Sequence, residues 1–197
     1  MNGYELITTR RSTRRFRPDP VPQEALDKIL EAGRHAPSGH NNQTSHLIVI
    51  RNREVLDKLN TLAVQEFSKM DMDDNTYVSL ASSIRNSKKG GYIFHYNAPV
   101  LVIVANKLDY GNAMADSSCA IENMMLMANE LDLGSCWINQ IHWLTDNENM
   151  LSYLYELGLE KDETVCGSCA IGYADTPDGL PSRTPLERKG NPITYVD

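Results

Sequence analysis

Arginine is concentrated near the start of the chain, where its spacing indicates an anion-binding site. The formal net charge is −7, yet the first 17 residues hold five arginines: Arg10, Arg11, Arg14, Arg15 and Arg17. Ser12 lies among them, and guanidinium groups beside a hydroxyl can clamp a phosphate monoester through paired hydrogen bonds. Concentrated positive charge on an acidic protein favours one local anion over a long polyanion. A solvated basic turn would give the same pattern, so both interpretations stand at this point.

A second group of polar residues, Ala-Pro-Ser-Gly-His-Asn-Asn-Gln at 36–43, follows the end of a predicted helix. Ser38, Asn41 and Gln43 offer neutral donors and acceptors for a polyol or for the edge of a heterocycle. An ordinary turn between a helix and a strand uses the same residue types. The segment alone does not decide between a binding loop and a turn.

Two further segments have residues suited to a bound aromatic or phosphorylated ligand. Gly134 lets the backbone approach a ligand closely, and Trp137 can flank an aromatic ring, although a helix end that enters a strand looks similar. Arg183 lies between Pro181 and Pro185, and such a stiff loop can direct a guanidinium at a phosphate. The alternative for Arg183 is an ordinary surface position.

The four cysteines are Cys119, Cys136, Cys166 and Cys169. A Cys-x-x-Cys spacing at Cys166 and Cys169 occurs in redox pairs and in zinc sites. Zinc needs a second close pair, and a redox pair begins a helix, whereas these two lie in a predicted buried strand. We therefore expect thiols of the core, with a thiol or zinc module as the alternative. The histidines show no ligand spacing, and we expect no metal.

Several function classes lack their sequence signatures. There is no Gly-x-Gly-x-x-Gly fingerprint, no Walker loop, no Gly-x-Ser-x-Gly elbow and no His-Glu-x-x-His helix. The acidic net charge argues against nucleic acid as a general partner. The longest apolar run, Pro99 to Ala105, is too short to span a membrane, and residues 1–5 do not resemble a secretion signal. We expect a cytoplasmic protein.

The elements that position these residues can be predicted from hydrophobic periodicity. Helices are expected at 4–9, 22 to about 36, 54–69 and 113–131, and from a cap at Asp146 or Asn147 to Gly158. Gly134 is expected to mark the end of the helix at 113–131. Strands are expected at 47–50, 99–105 and 164–173, and the polar segment 71–91 is expected to be a mobile loop or a weak helix. Strands and helices mix without strict alternation and no linker appears, so we predict one α+β domain over 1–197.

In their order and spacing, these segments resemble the FMN-dependent nitroreductase family from about residue 4 to 187. Family members begin with a short helix and an Arg-x-Ser-x-Arg/Lys-x-Phe run, matched here by 10–16, and continue with Ala-Pro-Ser-x-x-Asn-x-Gln, matched by 36–43. Their core helix leads into Gly-Leu-Gly-Ser-x-Trp, matched by Leu-Asp-Leu-Gly-Ser-Cys-Trp at 131–137. An Ile-Gly-Tyr strand end at 171–173 and an Arg-x-Pro-Leu-Glu close at 183–187 follow. Pro181 stands where the family usually has a second basic residue.

The resemblance implies a nitroreductase-like fold, in which helices flank a central mixed, mainly antiparallel sheet, and a homodimer with FMN at the subunit interface. Arg10, Ser12 and Arg183 are implied to hold the FMN phosphate, with Arg14 near the flavin N1 and C2 carbonyl. The other implied contacts are Arg11 at the phosphate; Pro37, Ser38, Gly39, Asn41 and Gln43 from the partner subunit; and Cys136, Trp137, Ile138 and Asn139. Backbone amides between Trp137 and Gln140 are implied to face N5.

The resemblance also implies an activity. NADH or NADPH would pass hydride to the flavin, and an electron-poor acceptor such as a nitroaromatic or a quinone would then take its place in a ping-pong mechanism. No catalytic side chain is implied. The alternatives are the same fold with another flavin reaction (dehydrogenase, dehalogenase or flavin cleavage) and a flavin-binding protein without turnover.

Overall fold

Four strands form the centre of the fold in a computed structural model, which describes residues 1–197. They are β1 (His46–Ile50), β2 (Val100–Lys107), β3 (Gly134–Ile138) and β4 (Glu163–Gly172). Their order in the sheet is β1-β2-β4-β3, and each neighbouring pair is antiparallel. We expected a mixed, mainly antiparallel sheet. Its parallel pairing is limited to an isolated bridge between Ser12 and Ser135.

β2 is buried on both faces, as its run of valine and isoleucine predicts. Its side chains alternate between two cores, because successive strand residues point to opposite faces. Leu101 and Ile103 enter one core, and Val102 and Val104 enter the other. The sheet therefore separates two layers of helices.

Six α-helices cover the two faces: α1 (Gly3–Thr9), α2 (Gln23–Arg34), α3 (Arg53–Lys69), α4 (Val78–Lys89), α5 (Ala113–Glu130) and α6 (Glu148–Glu156). Helices α2 and α5 pack on one face of the sheet, and α3, α4 and α6 pack on the other. No helix combines the length and the apolar character that crossing a bilayer requires. Asn147 caps α6 by accepting a hydrogen bond from the backbone N–H of Met150 at 2.9 Å, which confirms one of the two predicted caps.

The structure decides two details of the predicted elements. Of the two alternatives expected for 71–91, a mobile loop or a weak helix, residues 78–89 form a helix, α4, and it is regular, because its buried face consists of small residues (Ala81, Ser83 and Ser87) around Ile84. Serine weakens the hydrophobic signal of such a face without preventing its packing. Helix α5 ends at Glu130, and Asp132, with φ of 62°, makes the left-handed turn that we expected near Gly134. Gly134 instead begins β3.

The cysteines of β4 confirm the prediction of core thiols. Cys166 and Cys169 are both buried, and burial raises the pKa of each thiol. The thiolate is the reactive and metal-binding form. At neutral pH these two side chains therefore behave as small apolar groups of the core.

His95 is a buried titratable group in the turn before β2. Its side chain is fully buried, and neither ring nitrogen has a hydrogen-bond partner. Burial lowers its pKa from 6.5 to about 4, and the positive charge of Arg53 adds to that effect. The neutral imidazole is thus the form that the folded protein accommodates.

We expect His95 to make the protein sensitive to acid. The unfolded chain takes up a proton near pH 6.5 and the folded chain only near pH 4, so stability is lost as the pH falls between these values. The gap corresponds to roughly 3 kcal/mol of unfolding free energy. When the free energy of unfolding is measured in urea at a series of pH values, the His95→Phe variant should lack this loss of stability between pH 6.5 and about 4. An identical pH dependence in parent and variant would contradict the assignment.

Candidate cofactor site

The arginine-rich segment after α1 lies against the edge of the sheet. Ser12 forms a bridge with Ser135, and the backbone N–H of Thr13 donates to the Ser135 carbonyl at 2.8 Å. The close approach depends on Gly134, since a Cβ there would lie 2.6–2.8 Å from three side-chain atoms of Thr13. The absence of a side chain at Gly134 thus lets the arginine-rich segment pack directly against β3.

Arg10 has the geometry of an anion-binding side chain. Its Nε lies 3.5 Å from a carboxylate oxygen of Glu122 on α5. Its Nη1 is buried and has no hydrogen-bond partner within the chain. A buried, unsatisfied donor on a charged group is costly unless a ligand completes it. An incoming anion would supply the missing acceptor.

Arg183 reaches the same helix from the far end of the sequence. Its Nη2 lies 2.7 Å from Asp132, and its guanidinium also donates to the backbone carbonyl and the side chain of Asn129 at the end of α5. The Asn129 amide donates to Leu6 and to Thr9 of α1, one residue before Arg10. The two arginines predicted to hold a phosphate are therefore both attached to the second half of α5.

Arg14 lies close to Cys136 and Tyr96. Burial raises the pKa of Cys136, and the charges of Arg14 and Arg10 and a hydrogen bond with Ser12 oppose that shift. Burial also raises the pKa of Tyr96, and Arg14 again opposes it. Sequence analysis missed Tyr96; its backbone is left-handed, with φ of 56°, and the only sequence signal was the Asn-Ala-Pro turn that follows it.

The other arginines of the segment separate into different roles. Arg11 is half-buried beside Arg10. Arg15 is exposed and lies 3.6 Å from Asp175, and Arg17 donates to the carbonyls of Thr176 and Pro177. Arg15 and Arg17 thus attach this segment to the loop after β4. The arginine cluster seen in the sequence therefore contains candidate ligand-binding residues and residues that hold the segment in place.

Residues 136–139 lie at the open edge of the sheet. Because β3 is an edge strand, alternate residues direct their backbone groups away from β4: the Ser135 carbonyl accepts the Thr13 N–H, and Trp137, two residues further on, faces the same way. Cys136 and Ile138 point into the core beneath α3, and Trp137 points to the opposite face. The Trp137 indole packs against Gly167 and donates to the side chain of Asn139. Its ring is therefore not on the side of Cys136.

Gln140, which follows this edge, connects it to α4. Its amide nitrogen donates to the hydroxyls of Ser83 at 3.1 Å and Tyr92 at 2.9 Å. Sequence analysis included only the backbone of Gln140 and did not predict this side-chain contact, because it joins positions 48 and 57 residues apart. Through this contact, α4 and therefore the segment 71–91 lie beside the candidate site.

The loop at 38–43 lies elsewhere. Its Gly39 N–H donates to Asp116 in the first turns of α5, whereas Arg10 and Arg183 are bound to Glu122 and Asn129 further along the same helix. From Asp116 the helix rises by roughly 9 Å to Glu122 and by roughly 20 Å to Asn129. Within one chain the loop and the two arginines are therefore held at different turns of α5.

The fold is that of an α+β protein with a group of arginines, a candidate anion site, beside an edge strand. The model of the nitroreductase family matches residues 7–173. A protein of Methanothermobacter thermautotrophicus, provisionally named NADH dehydrogenase/NAD(P)H nitroreductase, is 33% identical over 95% of this chain and 82% of its own length. This chain belongs to the nitroreductase family.

Solved structures agree with that assignment. A nitroreductase from Bacteroides fragilis with bound FMN is similar over 100% of both chains, with a TM-score of 0.85 and 35% identity. A BluB-like flavoprotein from Clostridium difficile 630 is similar over 100% of both chains, with a TM-score of 0.71 and 28% identity. The resemblance seen in the sequence motifs is thus confirmed at the level of the whole fold.

Proposed function

We propose that this protein is a cytoplasmic FMN-dependent oxidoreductase. It takes hydride from NADH or NADPH and reduces electron-poor acceptors such as nitroaromatics or quinones. The observation that carries the proposal is the buried Nη1 of Arg10, which has no acceptor within the chain. The FMN-bound Bacteroides fragilis structure, which this chain resembles over its whole length, supports FMN as the ligand.

The residues present fit the phosphate of FMN. Arg10 would supply its free Nη1, Ser12 a hydroxyl, and Arg183 a second guanidinium, held at the end of α5 by Asn129 and Asp132. Two guanidinium groups match a phosphate dianion in charge and in hydrogen-bonding geometry. Arg11 lies beside them and would contact the phosphate through its backbone or its side chain.

The edge of the sheet fits the flavin ring. The outer edge of the segment Cys136, Trp137, Ile138 and Asn139 would lie along N5, with the backbone N–H of Trp137 directed away from β4 toward it, and Arg14 would face N1 and the C2 carbonyl. When bound, FMN supplies hydride transfer, which is chemistry that the side chains of this protein do not provide. Arg14, which is exposed in the single chain, would stabilise negative charge at the N1 side of the ring, because a positioned cation lowers the energy of charge that develops beside it.

The proposal includes a homodimer with two composite sites. A two-fold axis across α5 would bring Pro37 and the loop at 38–43 of one subunit, with Ser38, Gly39, Asn41 and Gln43, to the arginines of the other. Large exposed apolar side chains support such an interface. They lie on α1 (Tyr4 and Ile7) and on the extended segment that ends the sequence (Leu186, Ile193, Tyr195 and Val196). Burial of apolar surface is the main driving force of obligate dimers.

A second candidate keeps the flavin and changes the reaction. The similarity to a BluB-like flavoprotein supports it, because the nitroreductase fold carries different flavin functions. Helix α4, which Gln140 ties to the open edge of β3, is placed to select what reaches the ring. A dehydrogenase, a dehalogenase or a flavin-cleaving enzyme would use the same FMN contacts.

Reduction by nicotinamides separates these candidates. We expect purified protein to be yellow and its flavin band near 450 nm to bleach within seconds when NADH or NADPH is mixed with it in a stopped-flow instrument. Steady-state rates at several acceptor concentrations should give parallel double-reciprocal lines, since donor and acceptor use one site in turn. Tight FMN binding with slow bleaching by both nucleotides would contradict the reductase and favour the second candidate.

A further inference from the structure

The loop at 38–43 has a backbone that needs external support. His40, Asn41 and Gln43 all have positive φ values, of 51°, 55° and 53°. Residues other than glycine disfavour this left-handed region, although asparagine tolerates it best. Three such residues in one loop persist only where surrounding contacts hold them.

Those contacts come from two residues at the beginning of α5 and just before it. The buried carboxylate of Asp116 accepts the Gly39 N–H at 3.1 Å and 3.3 Å, one distance for each oxygen. The Tyr110 hydroxyl lies 2.7 Å from the same carboxylate and 3.2 Å from the Gly39 carbonyl. We call Asp116 and Tyr110 the loop clamp.

Packing closes the clamp around Gly39. A Cβ at this position would lie 2.4 Å from the side-chain amide of Asn112 and 2.6 Å from the Tyr110 hydroxyl. Only glycine therefore lets the loop reach Asp116. The Ser38 hydroxyl then accepts the Gln43 N–H at 3.0 Å, which fixes the other end of the loop.

We propose that Asp116 and Tyr110 are positioning residues of the FMN site of the partner subunit, a role that rests on the proposed function. The loop clamp holds residues 38–43 in their strained conformation before FMN arrives. Neither clamp residue touches the cofactor. A loop that is already ordered loses little conformational entropy when FMN binds, so the clamp increases FMN affinity.

A purely structural role for Asp116 makes a different prediction. A carboxylate near the N-terminus of a helix also interacts favourably with the helix dipole. In that case Asp116→Ala would lower the melting temperature of the FMN-free protein and leave its FMN affinity unchanged. Tyr110→Phe, which removes only the hydroxyl, would then have no effect on affinity.

FMN titration followed by quenching of flavin fluorescence separates the two roles. We expect Asp116→Ala and Tyr110→Phe to raise the Kd for FMN about tenfold. The Kd of Asp116→Asn should lie between that of Asp116→Ala and that of the parent, because the amide oxygen of asparagine still accepts the Gly39 N–H. The turnover rate at saturating FMN should stay within about twofold of the parent. Asp109→Asn, an exposed carboxylate next to Tyr110, is the matched control and should bind FMN as the parent does. Unchanged Kd values in the clamp variants would overturn the proposal.

A mixed dimer tests action across the interface. One subunit carries Arg10→Ala with Arg183→Ala, the other carries Asp116→Ala, and different tags isolate the co-expressed pair. One of the two sites then combines both defects and the other is intact, so we expect one FMN per dimer at the parental Kd. Two weakened sites would place the loop beside the arginines of its own subunit and overturn the proposal. If the parent protein binds no FMN, the proposed function is wrong as well. If the parent binds FMN and the clamp variants bind it with the same Kd, only the proposed role of the loop clamp is wrong.

Discussion

FMN will dissociate from the Arg10→Ala, Arg183→Ala double variant at concentrations at which the parent retains it. Each guanidinium is proposed to make charge-assisted hydrogen bonds to the phosphate, and losing one such set weakens binding on the order of 10- to 100-fold. The two arginines reach α5 from opposite ends of the chain, at Glu122 and at Asn129. Either single variant should therefore keep part of the affinity that the double variant loses.

The measurement is the ratio of flavin to protein after gel filtration, together with the Kd from fluorescence titration. Arg15→Ala is the matched control, since Arg15 is exposed and its pair with Asp175 is a surface ion pair of small energy. Melting curves of the FMN-free proteins exclude a general loss of folding. If both single variants retain cofactor as the parent does, the phosphate assignment is wrong.

Gly134→Ala should lower both stability and FMN affinity, although residue 134 is not proposed to touch the cofactor through a side chain. The new methyl group would lie 2.6–2.8 Å from the Oγ1, Cβ and Cγ2 of Thr13, so the arginine-rich segment must move away from β3. Overpacking of this kind costs roughly 1 to 3 kcal/mol of unfolding free energy. The displacement would also disturb the bridge between Ser12 and Ser135.

Urea unfolding and FMN titration measure the two effects of Gly134→Ala. Adding Thr13→Gly removes all three clashing atoms and should restore part of the FMN affinity. Gly111→Ala, where a Cβ would meet nothing within 4 Å, is the control for the substitution itself. A Gly134→Ala protein with parental stability and affinity would show that the segment is not held against β3 as described.

Local patterns predicted much of the fold. The valine and isoleucine run of β2 and the apolar stripe of α5 are long, regular signals, and both elements form as expected. Helix α4 was predicted less well, because its buried face uses serine and alanine, which carry little hydrophobic signal. Its packing against α3 decides its structure, and no local pattern reports that contact.

The candidate site was predicted from the sequence in its residue types but not in its arrangement. The arginine cluster pointed to an anion, yet Arg15 and Arg17 hold the loop after β4, and only Arg10 keeps a buried donor without an acceptor. Tyr96 and the side chain of Gln140 were missed, because their neighbours are distant in the sequence. Asp116 was not singled out, because its contact with Gly39 joins positions 77 residues apart.

The sequence by itself determined the family, the expected phosphate ligand and the elements with strong periodicity, because these depend on residue types at short and fixed spacing. Only the tertiary structure decided which arginine keeps a buried donor without an acceptor, that Asp116 and Tyr110 hold the loop at 38–43, and that this loop and Arg183 are bound at opposite ends of α5. Each of these depends on side chains brought together by the packing of α5 against the rest of the fold. Residues that meet through such packing leave no common pattern along the chain.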